Sequence, residues 1–157
     1  YYRTKFRPDV SLMSQIQFSE LCKSLWPSEQ ESQQLTSIDE AVYYLADEAV
    51  NQILESSISK LSPKGARLYQ SLRLMAQYVT DAERMYDISD WGRKSKDDRR
   101  KVVEAVRNSG DEGNFAVLVG ENFQGIIEGD IDPLALTLKD DALGRYYANN
   151  SRMASQW

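Results

Sequence analysis

A chain of 157 residues, 41% hydrophobic and 27% charged, is long enough for one domain with a buried core and too apolar for disorder. Its net charge of -5 lacks the basic surplus of a nucleic-acid binder, and the single cysteine, Cys22, excludes an internal disulfide framework. The absence of histidine excludes Ser-His-Asp and Cys-His nucleophile arrangements and, with one cysteine, zinc sites of the usual Cys/His type.

Residues 1–13 read as an extended inter-domain linker, because Pro8 disfavours helix at Arg7. Its opening, Tyr1-Tyr2-Arg3-Thr4-Lys5, lacks a signal-peptide core, and no apolar run nears the roughly 20 residues that span a bilayer. The expected location is therefore cytoplasmic, where a lone thiol stays reduced. Ser14 is expected to cap a short helix carrying Ile16, Leu21 and Leu25 on one face, closed by Trp26-Pro27. The polar run Ser28 to Gln34 reads as a loop.

Ser37-Ile38-Asp39-Glu40 has the capping-box pattern and predicts a helix to about Leu61. Ile38, Val42, Leu45, Ala49 and Ile53 form its apolar stripe, which Tyr43 and Tyr44 widen as core or rim. Ser62-Pro63 restarts a helix with serine at the cap and proline in the first turn, bearing Leu68, Leu72, Met75, Ala76 and Val79. So short a connection predicts an antiparallel helical hairpin. The pattern breaks from Asp87 to Ser95, then a charge run, Arg93 to Lys101, opens the next helix. This run reads as the solvated start of a helix capped by Ser95, with Asp97 and Lys101 spaced to pair; the sharper alternative is a basic docking patch for an acidic partner, such as a carrier protein.

Val102, Val103 and Val106 give that helix its buried face, Asn108-Ser109-Gly110 ends it, and Asp111-Glu112-Gly113 reads as loop. Asn114 is expected to cap a helix running to a left-handed stop at Gly129. Asp132-Pro133 starts a short helix through Leu138, and a last helix carries Leu143, Tyr146 and Tyr147. The expected fold is all-α, a compact bundle of about six helices over residues 14–157.

No motif here carries chemistry of its own, so no catalytic residue and no metal ligand is assigned. Asp130, Asp132, Asp140 and Asp141 cluster, but helix starts explain acidic residues there, and their spacing is not that of an EF-hand. Gly120, Gly125 and Gly129 lack the preceding strand of a phosphate loop. Tyr146 and Tyr147 point roughly 100° apart on a helix, so one packs while the other can face a cleft.

Four segments in order resemble one known region: Gly120-Glu121-Asn122, Ile126-Ile127-Glu128-Gly129, Ile131-Asp132-Pro133-Leu134 and Asp140-Asp141-x-Leu143-x-Arg145-Tyr146-Tyr147. They are similar to the helical segment just upstream of the AdoMet-binding core in the C-methyltransferase domain of fungal highly reducing polyketide synthases. Phe6-Arg7-Pro8-Asp9-Val10 is similar to the segment where such synthases enter that region. The resemblance implies a lid subdomain that helps enclose S-adenosyl-methionine and a carrier-bound β-ketoacyl substrate, with Arg145, Tyr146 and Tyr147 near the pocket. It also implies that the cofactor-binding core and the histidine base follow Trp157, so this chain is expected to hold no cofactor and to be silent alone. Implied partners are the downstream core, neighbouring synthase domains and an acyl carrier protein. Family members often carry tyrosine where this chain has Gly144, which points to the alternative of an inactive methyltransferase remnant; a separate alternative is a non-catalytic helical interaction or structural module between synthase domains.

Overall fold

Serine, aspartate and proline punctuate this sequence, and most helices begin where they stand. The computed structural model describes residues 13–25, 28–81 and 90–149. Every regular element among them is helical: α1 (Gln15–Leu25), α2 (Glu29–Gln52), α3 (Glu55–Ile58), α4 (Pro63–Asp81), α5 (Lys96–Arg107), α6 (Asp111–Glu121), α7 (Phe123–Glu128), α8 (Pro133–Leu138) and α9 (Ala142–Asn149). Single 3-10 turns occupy Trp91–Arg93 and Lys139–Asp141. The fold is all-α. Residues 1–12 of the expected linker, the Phe6–Val10 motif and the Trp26-Pro27 stop lie outside the described residues.

Backbone proximity divides the chain into two units, Tyr1–Gln33 and Gln34–Trp157. In the first, Ser14 caps α1 as expected: its Oγ accepts from the Gln17 amide at 3.3 Å, while Gln17 Oε1 accepts from the Ser14 amide at 3.0 Å. Ile16 and Phe18 remain exposed on α1. The run from Ser28, expected as a loop, is helical from Glu29 onward. Ser28 and Glu31 form the capping box there, the Glu31 amide donating to Ser28 Oγ at 3.2 Å and the Ser28 amide to Glu31 Oε2 at 2.8 Å. Glutamine and glutamate are good helix formers, so the polar run extends the helix once this box starts it. Ser37 and Glu40 consequently lie inside α2 rather than at its start.

In the second unit, α2 is the centre. Ile38, Ala41, Tyr43, Tyr44, Leu45, Ala46 and Ala49 are all buried, so apolar or aromatic surface surrounds the helix for about three turns rather than lying in one stripe. Ile38, Ala41 and Leu45 pack with Val106 and Val117 of α5 and α6. Tyr43 and Tyr44 pack with Trp91, and Ala46 and Ile53 pack with Leu72 of α4 and Ile127 of α7. The expected hairpin of α2 with α4 is present: Leu68 and Leu72 join the cluster of Ala46 and Ile53, and Ala76, one turn later, joins that of Tyr43 and Tyr44. Contacts move back along α2 as α4 advances, which is the antiparallel sense.

Three predicted boundaries are corrected. Helix α2 stops at Gln52, not near Leu61, because Ile53 is drawn into the core and Leu54 is extended (φ -67°, ψ 137°) ahead of the single turn α3. Helix α6 begins at Asp111, so Asp111–Gly113 is its first turn and Asn114 is not its cap; Gly110, at φ +133°, takes that place. The single helix expected from Asn114 to Gly129 is broken at Asn122, whose side-chain amide donates to Leu118 O at 2.8 Å and competes with the backbone ladder. Other expectations hold. Ser62 Oγ accepts from the Gly65 amide at 3.1 Å, Asp132 Oδ1 accepts from the Leu134 amide at 2.9 Å, and Gly129 stops α7 at φ +88°.

Two glycines set helix separations. A Cβ on Gly65 of α4 would lie 2.1 Å from the carbonyl oxygen of Ile127, so α4 abuts the α7 backbone there. A Cβ on Gly120 of α6 would lie 2.5 Å from Leu45 Cδ1. At Gly65 the obstacle is backbone and cannot swing aside. Gly65→Ala is expected to destabilise the fold by about 1–3 kcal/mol despite alanine's better helix propensity. Urea denaturation checks this, with the Gly120→Ala variant, facing a movable leucine tip, expected to lose less.

Candidate functional site

Near the C-terminal end, α9 follows two consecutive residues in left-handed conformation, Asp140 (φ 52°) and Asp141 (φ 55°). These are uncommon in non-glycine residues and are held here by contacts around them. Arg145 is one: its guanidinium donates to the Asp140 carbonyl, and its Nε lies 3.4 Å from Asp111 Oδ1 at the start of α6. Tyr146 stacks on Phe115 of α6, ring centroids 4.9 Å apart and planes at 22°. Tyr147 meets Tyr146 edge-on at 5.3 Å and is 54% exposed. The structure thus brings Arg145, Tyr146 and Tyr147 into one corner with unequal roles. Arg145 ties the turn to α6, Tyr146 packs, and Tyr147 presents a phenol and a ring face at the surface.

Gly144 belongs to the same corner. A Cβ there would lie 2.1 Å from Asp141 Oδ1 and 2.7 Å from its Cγ, so any side chain at 144 displaces the Asp141 carboxylate. Asp132 caps α8, and Asp141 stands immediately before α9 with its carboxylate over Gly144. Among the described residues no group of three or more acidic, cysteine or histidine side chains is placed to hold a metal ion.

A second polar cluster, missed by the reading of the sequence, lies against α2. Glu40 Oε1 accepts from the Tyr44 hydroxyl and from Lys94 Nζ, both at 2.5 Å. Asp47 Oδ2 accepts from Arg99 Nη1 at 2.8 Å, and the Arg99 guanidinium lies 5.0 Å from the Tyr44 ring centroid. Arg99 also donates to the carbonyls of Lys94 (3.1 Å) and Gly92 (3.0 Å), pinning the 3-10 turn that carries Trp91. Burial, then the hydrogen bond to Glu40, raises Tyr44 well above the ordinary phenol range, and burial followed by Asp47 raises Tyr43. The available signal was Glu40 and Asp47, seven residues apart and so on one face of α2, flanking two tyrosines. Acids on a buried face require cationic partners.

This cluster corrects the reading of the charge run. Lys94 and Arg99 turn inward, whereas Arg93, Arg100 and Lys101 stay on the surface beside Asp90, Asp97 and Asp98 at 3.7, 3.9 and 3.1 Å. Lys101 pairs with Asp98, not with Asp97 as expected. Ser95 is the cap, as expected, accepting from the Asp98 amide at 3.2 Å, and its hydroxyl, followed by Lys101, holds the Asp98 carboxyl below its usual range. Acids interleave with the exposed bases, so this face is mixed in sign.

No family model matches the chain, and no solved structure matches it. Its curated relatives are fungal highly reducing polyketide synthases. It is 23% identical to the lovastatin diketide synthase mokB of Monascus pilosus over 94% of its own length, and 26% identical to the squalestatin tetraketide synthase of Phoma sp. over 94%. With the highly reducing polyketide synthase PKS2 of Leptosphaeria maculans it shares 30% identity over 69% of its length. The chain spans only 4% to 6% of the length of these relatives.

Two measurements test the cluster on α2. Lys94→Met strands the largely buried Glu40 carboxylate and is expected to cost about 1–3 kcal/mol in chemical denaturation, while Lys101→Met leaves stability nearly unchanged. The raised Tyr43 and Tyr44 hydroxyls mean that the folded chain keeps protons the unfolded chain gives up. Their stabilisation is complete below the unfolded tyrosine value of about 10 and is lost as pH rises above it. The denaturation midpoint is therefore expected to fall above about pH 10, and to fall less steeply in Tyr44→Phe.

Proposed function

We propose that this chain is the N-terminal helical lid portion of a polyketide synthase C-methyltransferase domain. The observation that carries this reading is the similarity to fungal highly reducing polyketide synthases along 94% of the chain. The corner of Arg145, Tyr146 and Tyr147 supports it, because it puts one exposed aromatic on a rigid base. Phe115 fixes Tyr146, Tyr146 backs Tyr147, and Arg145 fixes the turn before both. A side chain held in this way loses little freedom on meeting an acyl chain.

In this reading the methyl donor is held by the remainder of the domain rather than by this chain. With no histidine, the chain also lacks the base expected to form the enolate of a carrier-bound β-ketoacyl thioester. Its share in α-carbon methylation is to cover the pocket, exclude water and position the acyl chain by Tyr147. An acyl carrier protein would deliver that chain, and the rest of the synthase would supply cofactor and base.

A second reading, a docking module without contact to substrate, is favoured by the exposure of Leu134 and Leu138 on α8. The two readings separate at the tyrosines. In the complete synthase, Tyr147→Ala is expected to lower methylation about tenfold or more, with Tyr147→Phe retaining most of it, since the ring supplies the packing. The ratio of methylated to unmethylated product by mass spectrometry checks this. Unchanged methylation in a stably folded Tyr147→Ala variant would exclude contact with substrate and leave the docking module.

A further inference from the structure

We propose that α8 is the seat of a neighbouring folded domain of the same polypeptide, one with an apolar centre and a basic rim. Leu134 and Leu138 stand one turn apart on α8, hence on one face, and are 61% and 58% exposed. The helix is held from behind by α6 and α9, so the face is fixed in place rather than loose. Single exposed leucines are ordinary, but two on one fixed turn flanked in the chain by acids form a defined surface. Those acids are Glu128, Asp130 and Asp132 before α8 and Asp140 and Asp141 after it, all exposed, against Lys139 and Arg145. Arg145 already faces Asp111, so the local charge is strongly negative.

The acids select the occupant. An acidic partner would be repelled, and two copies of this face would bring like charges together around the leucines. A covalently linked domain needs little intrinsic affinity, because the linkage supplies a high local concentration. The chain spans 4% to 6% of relatives that are far longer, which supplies such a domain. The inference rests on the synthase reading only in taking the chain as one segment of a longer polypeptide; it does not require methyl transfer.

Thiol labelling tests it. Leu138→Cys is made in the 157-residue chain and in the complete synthase, with Leu74→Cys on α4, 46% exposed, as the reference position. Maleimide labelling is read peptide by peptide by mass spectrometry. The thiol of Leu138→Cys is expected to react about tenfold more slowly in the synthase, the protection that a ten-to-one docking equilibrium confers, and Leu74→Cys equally in both. Added salt should restore part of the rate, since the rim is electrostatic. Equal rates at position 138 overturn the inference, as does equal protection at both positions, which signals general occlusion. A rate that falls with concentration of the 157-residue chain alone overturns it in favour of a second copy. Protection at 138 with methylation indifferent to Tyr147→Ala upholds docking while the lid reading falls; the reverse pattern does the opposite.

Discussion

Helix α2 can be buried only because its acids are answered from a distant part of the chain. Glu40 lies 54 residues from Lys94, and Asp47 lies 52 from Arg99, yet each pair is closed by a direct hydrogen bond. A carboxylate left without a partner on the buried face of α2 would carry a desolvation cost of several kcal/mol, more than the net worth of the pair. The pairs therefore matter less as a source of stability than as a condition on where the Trp91 turn and α5 can sit. Any placement that separated Lys94 from Glu40 would leave that charge stranded.

Once that side of α2 is closed, the other faces are set by shape. The absence of a side chain at Gly120 lets α6 approach Leu45, and the absence of one at Gly65 brings α4 against the carbonyl of Ile127. Interiors packed to this density do not tolerate a one-carbon addition where the neighbour is backbone. The three clusters around α2 are thus coupled, since Phe123 borders two of them and Val102 and Val103 border another two.

The C-terminal corner inherits its rigidity from this core through α6. Val117 is fully buried against α2, and Phe115, two residues earlier on α6, carries Tyr146. Tyr147 is therefore connected to the core by a short sequence of packed rings, which suits a surface that must present an aromatic in a fixed place. The same turn of chain bears the left-handed Asp140 and Asp141 and the gap at Gly144, so its backbone is tuned by contacts rather than by propensity. The function proposed for the corner depends on this positioning, not on any perturbed titratable group.

The sequence by itself determined the class of fold, most of the helix starts and the candidate residues. Helical periodicity and the caps at Ser14, Ser62, Ser95 and Asp132 are local chemistry, readable within four residues of each site. Gly129 as a stop is equally local, since glycine bears no penalty at its positive φ. Arg145, Tyr146 and Tyr147 were marked by their pattern, but which of them ties, packs or faces outward depends on Phe115 and Asp111, some thirty residues away. One local signal misled because a competing one existed: Ser37 and Ser28 both head capping-box patterns, and only the Ser28 box is formed. The inward turn of Lys94 and Arg99, the end of α2 at Gln52 and the tight approach at Gly65 were decided by the tertiary structure alone. In each case the deciding partner is remote in sequence, and a charge or a missing Cβ has no visible meaning until that partner is in place.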